Sequence, residues 1–71
     1  MTNEQIAHIF TYHKPVGTQQ ARYVELRDKA KELALLINAD VPESREKSLA
    51  LTNLQQSIMW ANAAIAINET E

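Results

Sequence analysis

Met59-Trp60-Ala61-Asn62-Ala63-Ala64-Ile65-Ala66-Ile67 is the stretch that decides the fold. Eight of its nine residues are apolar, and Asn62 is the single exception. It carries no Gly, no Pro and no charge. Ala and Met favour helix, and the β-branched residues are too sparse to argue for strand. The run is too short to cross a bilayer. Successive helical residues turn by about 100°, so such a run puts apolar atoms on every side. One side can pack within the chain; in a chain of 71 residues the others need a partner. Four alanines keep the surface low, and Trp60 supplies one large anchor. Met59, Trp60, Ala63, Ala64 and Ile67 are therefore expected at a subunit interface. The alternative is an over-apolar helix end in a monomeric bundle.

The same periodicity extends outward. Leu51, Leu54, Ile58, Ala61 and Ile65 recur at spacings of 3, 4, 3 and 4, an a/d seam. Tyr23, Leu26, Ala30, Leu33 and Ile37 repeat that pattern upstream, widened by Val24, Ala34 and Leu36. Thr18 is placed to cap the first of these helices, and Asn38 to end it. Pro42-Glu43-Ser44 opens the second, since Pro and acids are tolerated in a first turn. A short connection between two long helices makes them antiparallel neighbours. Thr2 can cap a further short helix, which must dock to persist. The expected fold is all-α: an antiparallel helical hairpin with a short N-terminal helix, assembled into an oligomer. It is one domain over residues 1–71, with a helix at about 3–9, a loop over 10–17, and long helices at about 18–38 and 42–68.

Cysteine is absent, so there is no disulfide framework and no thiolate zinc site. The first residues lack a basic region, which is unlike a signal peptide, and no segment reaches membrane-spanning length. The net charge of −2 hides an asymmetry. Between Lys14 and Lys31, five basic residues face Glu25 and Asp28; from Glu32 onward, six acidic residues face Arg45 and Lys47. A locally basic stretch in an acidic chain suits a small anionic ligand. It is a poor footprint for DNA or RNA. Salt-bridged helix surface is the plainer reading of the same charges.

Antiparallel geometry brings the loop Tyr12-His13-Lys14-Pro15, with Arg22 and Arg27, close to the end of the last helix at Ile65 to Asn68. An aromatic ring, an imidazole and cations converge there. Catalysis has no support: no Ser/His/Asp signature, no glycine-rich phosphate loop and no HExxH is present. His8 and His13 lack further ligands at useful spacing, so no metal is expected. His8 reads as an ordinary helix residue, and His13 as a loop residue able to donate to a ligand. Glu25, Asp28 and Glu32 share a face, but interleaved Arg22 and Lys29 argue for ion pairs.

Tyr12-His13-Lys14-Pro15, Arg22-Tyr23, Leu26-Arg27-Asp28, Ala30-Lys31-Glu32-Leu33-Ala34, Pro42-Glu43-Ser44 and Met59 to Ala66 together resemble the phage anti-defence helical-hairpin domain. That domain occurs in the anti-CBASS cyclic-oligonucleotide sponge and the related anti-Thoeris sponge. The resemblance implies a binding protein rather than an enzyme. It would sequester cyclic oligonucleotide messengers, without hydrolysing them, in the cytoplasm of the infected bacterial host. It implies a homohexamer, with cyclic dinucleotides between neighbouring subunits and cyclic trinucleotides on a three-fold axis. By motif position Tyr12 would stack on a base and Arg27 would meet a phosphate, with Lys14 and His13 beside them. The implied ligand is a cyclic dinucleotide such as cyclic GMP-AMP, with a cyclic trinucleotide or a cyclic ADP-ribose isomer as further candidates; no cofactor is implied. Relatives often carry Arg directly after the last Ala of the apolar run, where this chain has Ile67. The competing expectation, from another class, is a small oligomeric interaction module or adaptor with no nucleotide ligand.

Overall fold

The computed structural model describes residues 1–69, so positions 70 and 71 of the expected domain lie outside the described residues. The chain forms three helices: α1 (Asn3–Ile9), α2 (Gln19–Asp40) and α3 (Arg45–Asn68). No strand is present among the described residues.

Each helix boundary has a local cause. At α1, the Thr2 hydroxyl accepts from the Gln5 backbone amide at 3.0 Å, and the Gln5 side chain accepts from the Thr2 amide at 2.8 Å. This reciprocal capping box satisfies two orphan donors. Gly17 sits at φ +56, a left-handed turn that admits glycine cheaply and steers the loop into α2. Thr18 occupies the cap position of α2, but its hydroxyl accepts from Arg22 Nε at 3.1 Å and caps no backbone amide.

The other end of α2 differs from the sequence reading. The helix continues past Asn38 to Asp40. The Asn38 carbonyl accepts from Lys47 Nζ at 2.9 Å, so Asn38 stays helical and a lysine from the next helix satisfies it. α3 begins at Arg45 rather than near residue 42. Ser44 is the cap: its hydroxyl accepts from the Lys47 amide at 3.1 Å and donates to the Pro42 carbonyl at 3.1 Å. Pro42 therefore belongs to the turn. Lys47, only 5 % exposed, also pairs with Glu43. One buried amine thus ties the last turn of α2, the connection and the first turn of α3.

α2 and α3 pack along the two seams. Leu51, Leu54, Ile58, Ala61 and Ile65 are all half-buried, as are Tyr23, Leu26, Ala30 and Ile37; Leu33, on the same seam, is exposed. No apolar side chain among the described residues is fully buried. The shape gives the reason. The Cα trace measures 45 × 28 × 12 Å, a slab one helix thick. Its radius of gyration is 15.4 Å, against about 11 Å for a compact chain of this length. Two helices side by side have a seam but no third layer to close over it. No helix among the described residues is long and apolar enough to cross a membrane.

Candidate functional site

The site lies at the end of the slab where the loop over 10–18, the start of α2 and the end of α3 meet. Long-range hydrogen bonds assemble it. Gln19, 4 % exposed, accepts from the Val16 amide through Oε1 at 3.0 Å and donates from Nε2 to the Glu69 carbonyl at 2.9 Å. His8 Nε2 donates to the Ile67 carbonyl at 2.6 Å, and His13 Nε2 donates to the His8 carbonyl at 2.7 Å. The two imidazoles sit 4.6 Å apart between centroids. α1, the loop and α3 are thereby held as one unit. His8 is a clasp rather than an ordinary helix residue. The Nε2 donor of His13, expected to serve a ligand, is already used inside the chain; a neutral ring leaves Nδ1 as an acceptor.

Arg22 reinforces this end through two hydrogen bonds to the Glu69 carboxylate. The hydrogen bond from Arg22, aided by its charge, holds the Glu69 carboxyl below its ordinary range. The same hydrogen bond raises the Arg22 guanidinium above its own. The sequence reading paired Arg22 with acids on its own helix; instead it reaches across to α3. Lys29 does pair with Glu32 on α2, at 3.7 Å and well exposed.

Two recesses flank the loop. One, of about 280 Å³, is lined by Tyr12, His13, Lys14, Val16, Gln19, Ala66 and Glu69. The other, of about 410 Å³, is lined by His13, Gln20, Tyr23, Arg27, Asn62, Ala63 and Ala66. They share His13 and Ala66, so they adjoin as a two-part trough, with Tyr12 and Lys14 lining one part and Arg27 the other. Small residues hollow it out: Ala63 and Ala66 leave α3 low opposite Gln20, Tyr23 and Arg27, which form a single row along α2 at spacings of 3 and 4. Tyr12 is 82 % exposed, an aromatic ring the chain itself does not shelter. Arg27 makes no ion pair among the described residues, although Asp28 and Glu25 are close in sequence. Arg27 also reaches the rim of a third, apolar groove of about 470 Å³ between the helices, lined by Ala30, Leu51, Leu54, Ile58 and Met59 among others.

Of the expected interface residues, Met59, Trp60 and Ala64 are exposed, with Trp60 74 % open, and Ala63 is half-buried on the trough. Ile67 is placed differently: it lines a recess with Met1, Gln5, His8 and Ile9, against α1. Sequence reasoning missed Gln19, Gln20, Asn62, Ala66 and Glu69, and gave Tyr23 to the seam alone. The row Gln20, Tyr23, Arg27 was a readable signal. Asn62 gave no such signal: that its Oδ1 is buried with no hydrogen-bond partner among the described residues appears only in the structure. Among the described residues no group of three or more His, Cys, Asp or Glu could hold a metal ion.

A family model described as Acb2/Tad1, hairpin domain, matches residues 2–66. Neither a curated protein nor a solved structure matches the chain. The match spans most of the 71 residues, and the chain belongs to this family, the anti-CBASS/anti-Thoeris sponge family.

Proposed function

We propose that this member of the sponge family binds cyclic oligonucleotides, cyclic dinucleotides foremost, and sequesters them unchanged. The observation that supports the reading is an open Tyr12 ring and an Arg27 with no ion pair among the described residues, lining adjoining recesses. A purine face stacks on tyrosine for about 1–3 kcal/mol per base. A guanidinium can form two hydrogen bonds to one phosphate. Lys14, on the Tyr12 side, adds a second cation. A ligand-free adaptor has no use for a basic, aromatic trough beside its own interface.

The proposed assembly is a homohexamer in which neighbouring copies complete the trough. The single chain exposes 5804 Å², roughly a third more than the accessible surface expected for a compact monomer of its mass. Ile67 brings no charge where relatives often carry Arg, so a ligand with three phosphates gains no partner there. Cyclic dinucleotides are therefore expected to bind more tightly than cyclic trinucleotides. The proposed site of action is the cytoplasm of the infected host.

Calorimetry with cyclic dinucleotides, cyclic trinucleotides and cyclic ADP-ribose isomers tests the reading. Bound ligand should be recovered intact by chromatography after hours of incubation and heat release. No binding to any of the panel, or linear product above a no-protein control, would overturn it.

A further inference from the structure

His13 is the one polar residue common to both parts of the trough. Its ring is already fixed. Nε2 donates to the His8 carbonyl at 2.7 Å, and the His8 ring lies 4.6 Å away between centroids. A carbonyl can only accept, so Nε2 carries a hydrogen in either charge state of the ring. Nδ1 has no hydrogen-bond partner among the described residues and is not enclosed. It is the nitrogen left to meet a ligand. In the neutral ring Nδ1 presents a lone pair; in the imidazolium it presents an N–H. An ionised phosphodiester oxygen only accepts, so it meets the neutral ring as lone pair against lone pair. The protonated ring gives it a charge-assisted hydrogen bond instead.

The surroundings suit an anion at this point. Lys14 lines the recess on one side of His13 and Arg27 the recess on the other, and neither forms an ion pair among the described residues. The titratable groups around the ring are His8 from α1, Tyr12 and Lys14 from the loop, Tyr23 and Arg27 from α2, and Glu69 just beyond α3. Glu69 is engaged by Arg22. Only an imidazole ordinarily changes charge between about pH 5 and 8. Of the two present, His8 commits Nε2 to the Ile67 carbonyl and borders neither recess.

We infer that His13 meets a phosphate of the bound nucleotide through Nδ1 in its protonated form, so that binding takes up a proton from solution. The inference rests on the nucleotide-binding reading above and deepens it. Proton and phosphate favour each other by the same factor. Affinity therefore rises as pH falls through the imidazole range, and levels off once the ring of the free chain is itself charged.

The test uses the full-length protein and cyclic di-AMP, whose phosphates and bases do not titrate in this range. Calorimetry in Tris and in HEPES at one pH reads proton uptake as the difference between the two observed enthalpies. Between about pH 8 and pH 6, at constant ionic strength, affinity should rise about fivefold, as when an imidazole's titration moves by about one pH unit. His13→Gln keeps a nitrogen donor for the His8 carbonyl but cannot titrate, so it should lose both the buffer dependence and the rise. His8→Gln should keep both. NMR of the unmodified protein reads the same event without any variant: ligand should move the His13 ring titration to higher pH, and that of His8 much less. Affinity that is flat or falls on acidification, in a chain that binds, overturns the inference and leaves the sponge reading standing. A dependence that survives His13→Gln and vanishes in His8→Gln puts the proton on the other ring and overturns it too. No binding at any pH removes both readings.

Discussion

Tyr12 and Arg27 cost the free chain nothing to replace, because neither has an internal hydrogen bond or ion pair among the described residues. Tyr12→Ala and Arg27→Ala should therefore each weaken cyclic dinucleotide binding by tenfold or more, about 1.4 kcal/mol, while the melting temperature stays within about a degree. Calorimetry and thermal melting on the same preparations check both halves. A large drop in melting temperature would make the residue structural. Both side chains could be proposed as ligand contacts from the sequence because a loop aromatic and a helix cation are local features. Gln19 and Asn62 were not. The partners of Gln19 include a carbonyl fifty positions away, and no periodicity encodes such a bond. The missing partner of Asn62 appears only once the surrounding atoms are placed.

At the scale of elements, the two seams were legible because spacings of 3 and 4 leave little freedom about which faces meet. The helix ends were not. Pro42 and Ser44 both read as openers of α3, and the hydroxyl of Ser44 decides between them. Asn38 reads as a terminator until the buried Lys47 supplies its carbonyl with a donor. The clasp between α2 and the end of α3 has a pH signature. Glu69 titrates below its ordinary range when folded, because Arg22 hydrogen-bonds its carboxylate. Its contribution is thus fully present above the unfolded carboxyl pKa and is lost as pH falls through the lowered folded value. Melting curves taken from neutral to acid pH should show Glu69→Gln converging with the parent at the acid end. The gap at neutral pH should be small, since both partners are partly exposed. A gap that widens on acidification would show that the pair does not stabilise the fold.

The whole molecule is a slab 12 Å thick with no fully buried apolar side chain among its described residues. Its most open large apolar residue on α3 is Trp60, and a buried aromatic anchor often dominates an interface. Sedimentation at micromolar concentration should show no dominant 8.0 kDa species, and Trp60→Ala should shift the distribution towards smaller species. A folded monomer in the parent would refute the assembly. The expectation of an oligomer comes from the run from Met59 to Ile67, but the place of Ile67 was not legible there: helix geometry puts it in line with Trp60, whereas α1 comes to lie beside it. The thinness of the slab has one more consequence. A chain that borrows its core from its neighbours has a folding equilibrium that depends on how many copies are present. If this chain assembles as proposed, dilution would act on it as urea acts on an ordinary domain. On the proposed assembly, sequestering capacity would rise steeply with copy number and not in simple proportion to the chains made.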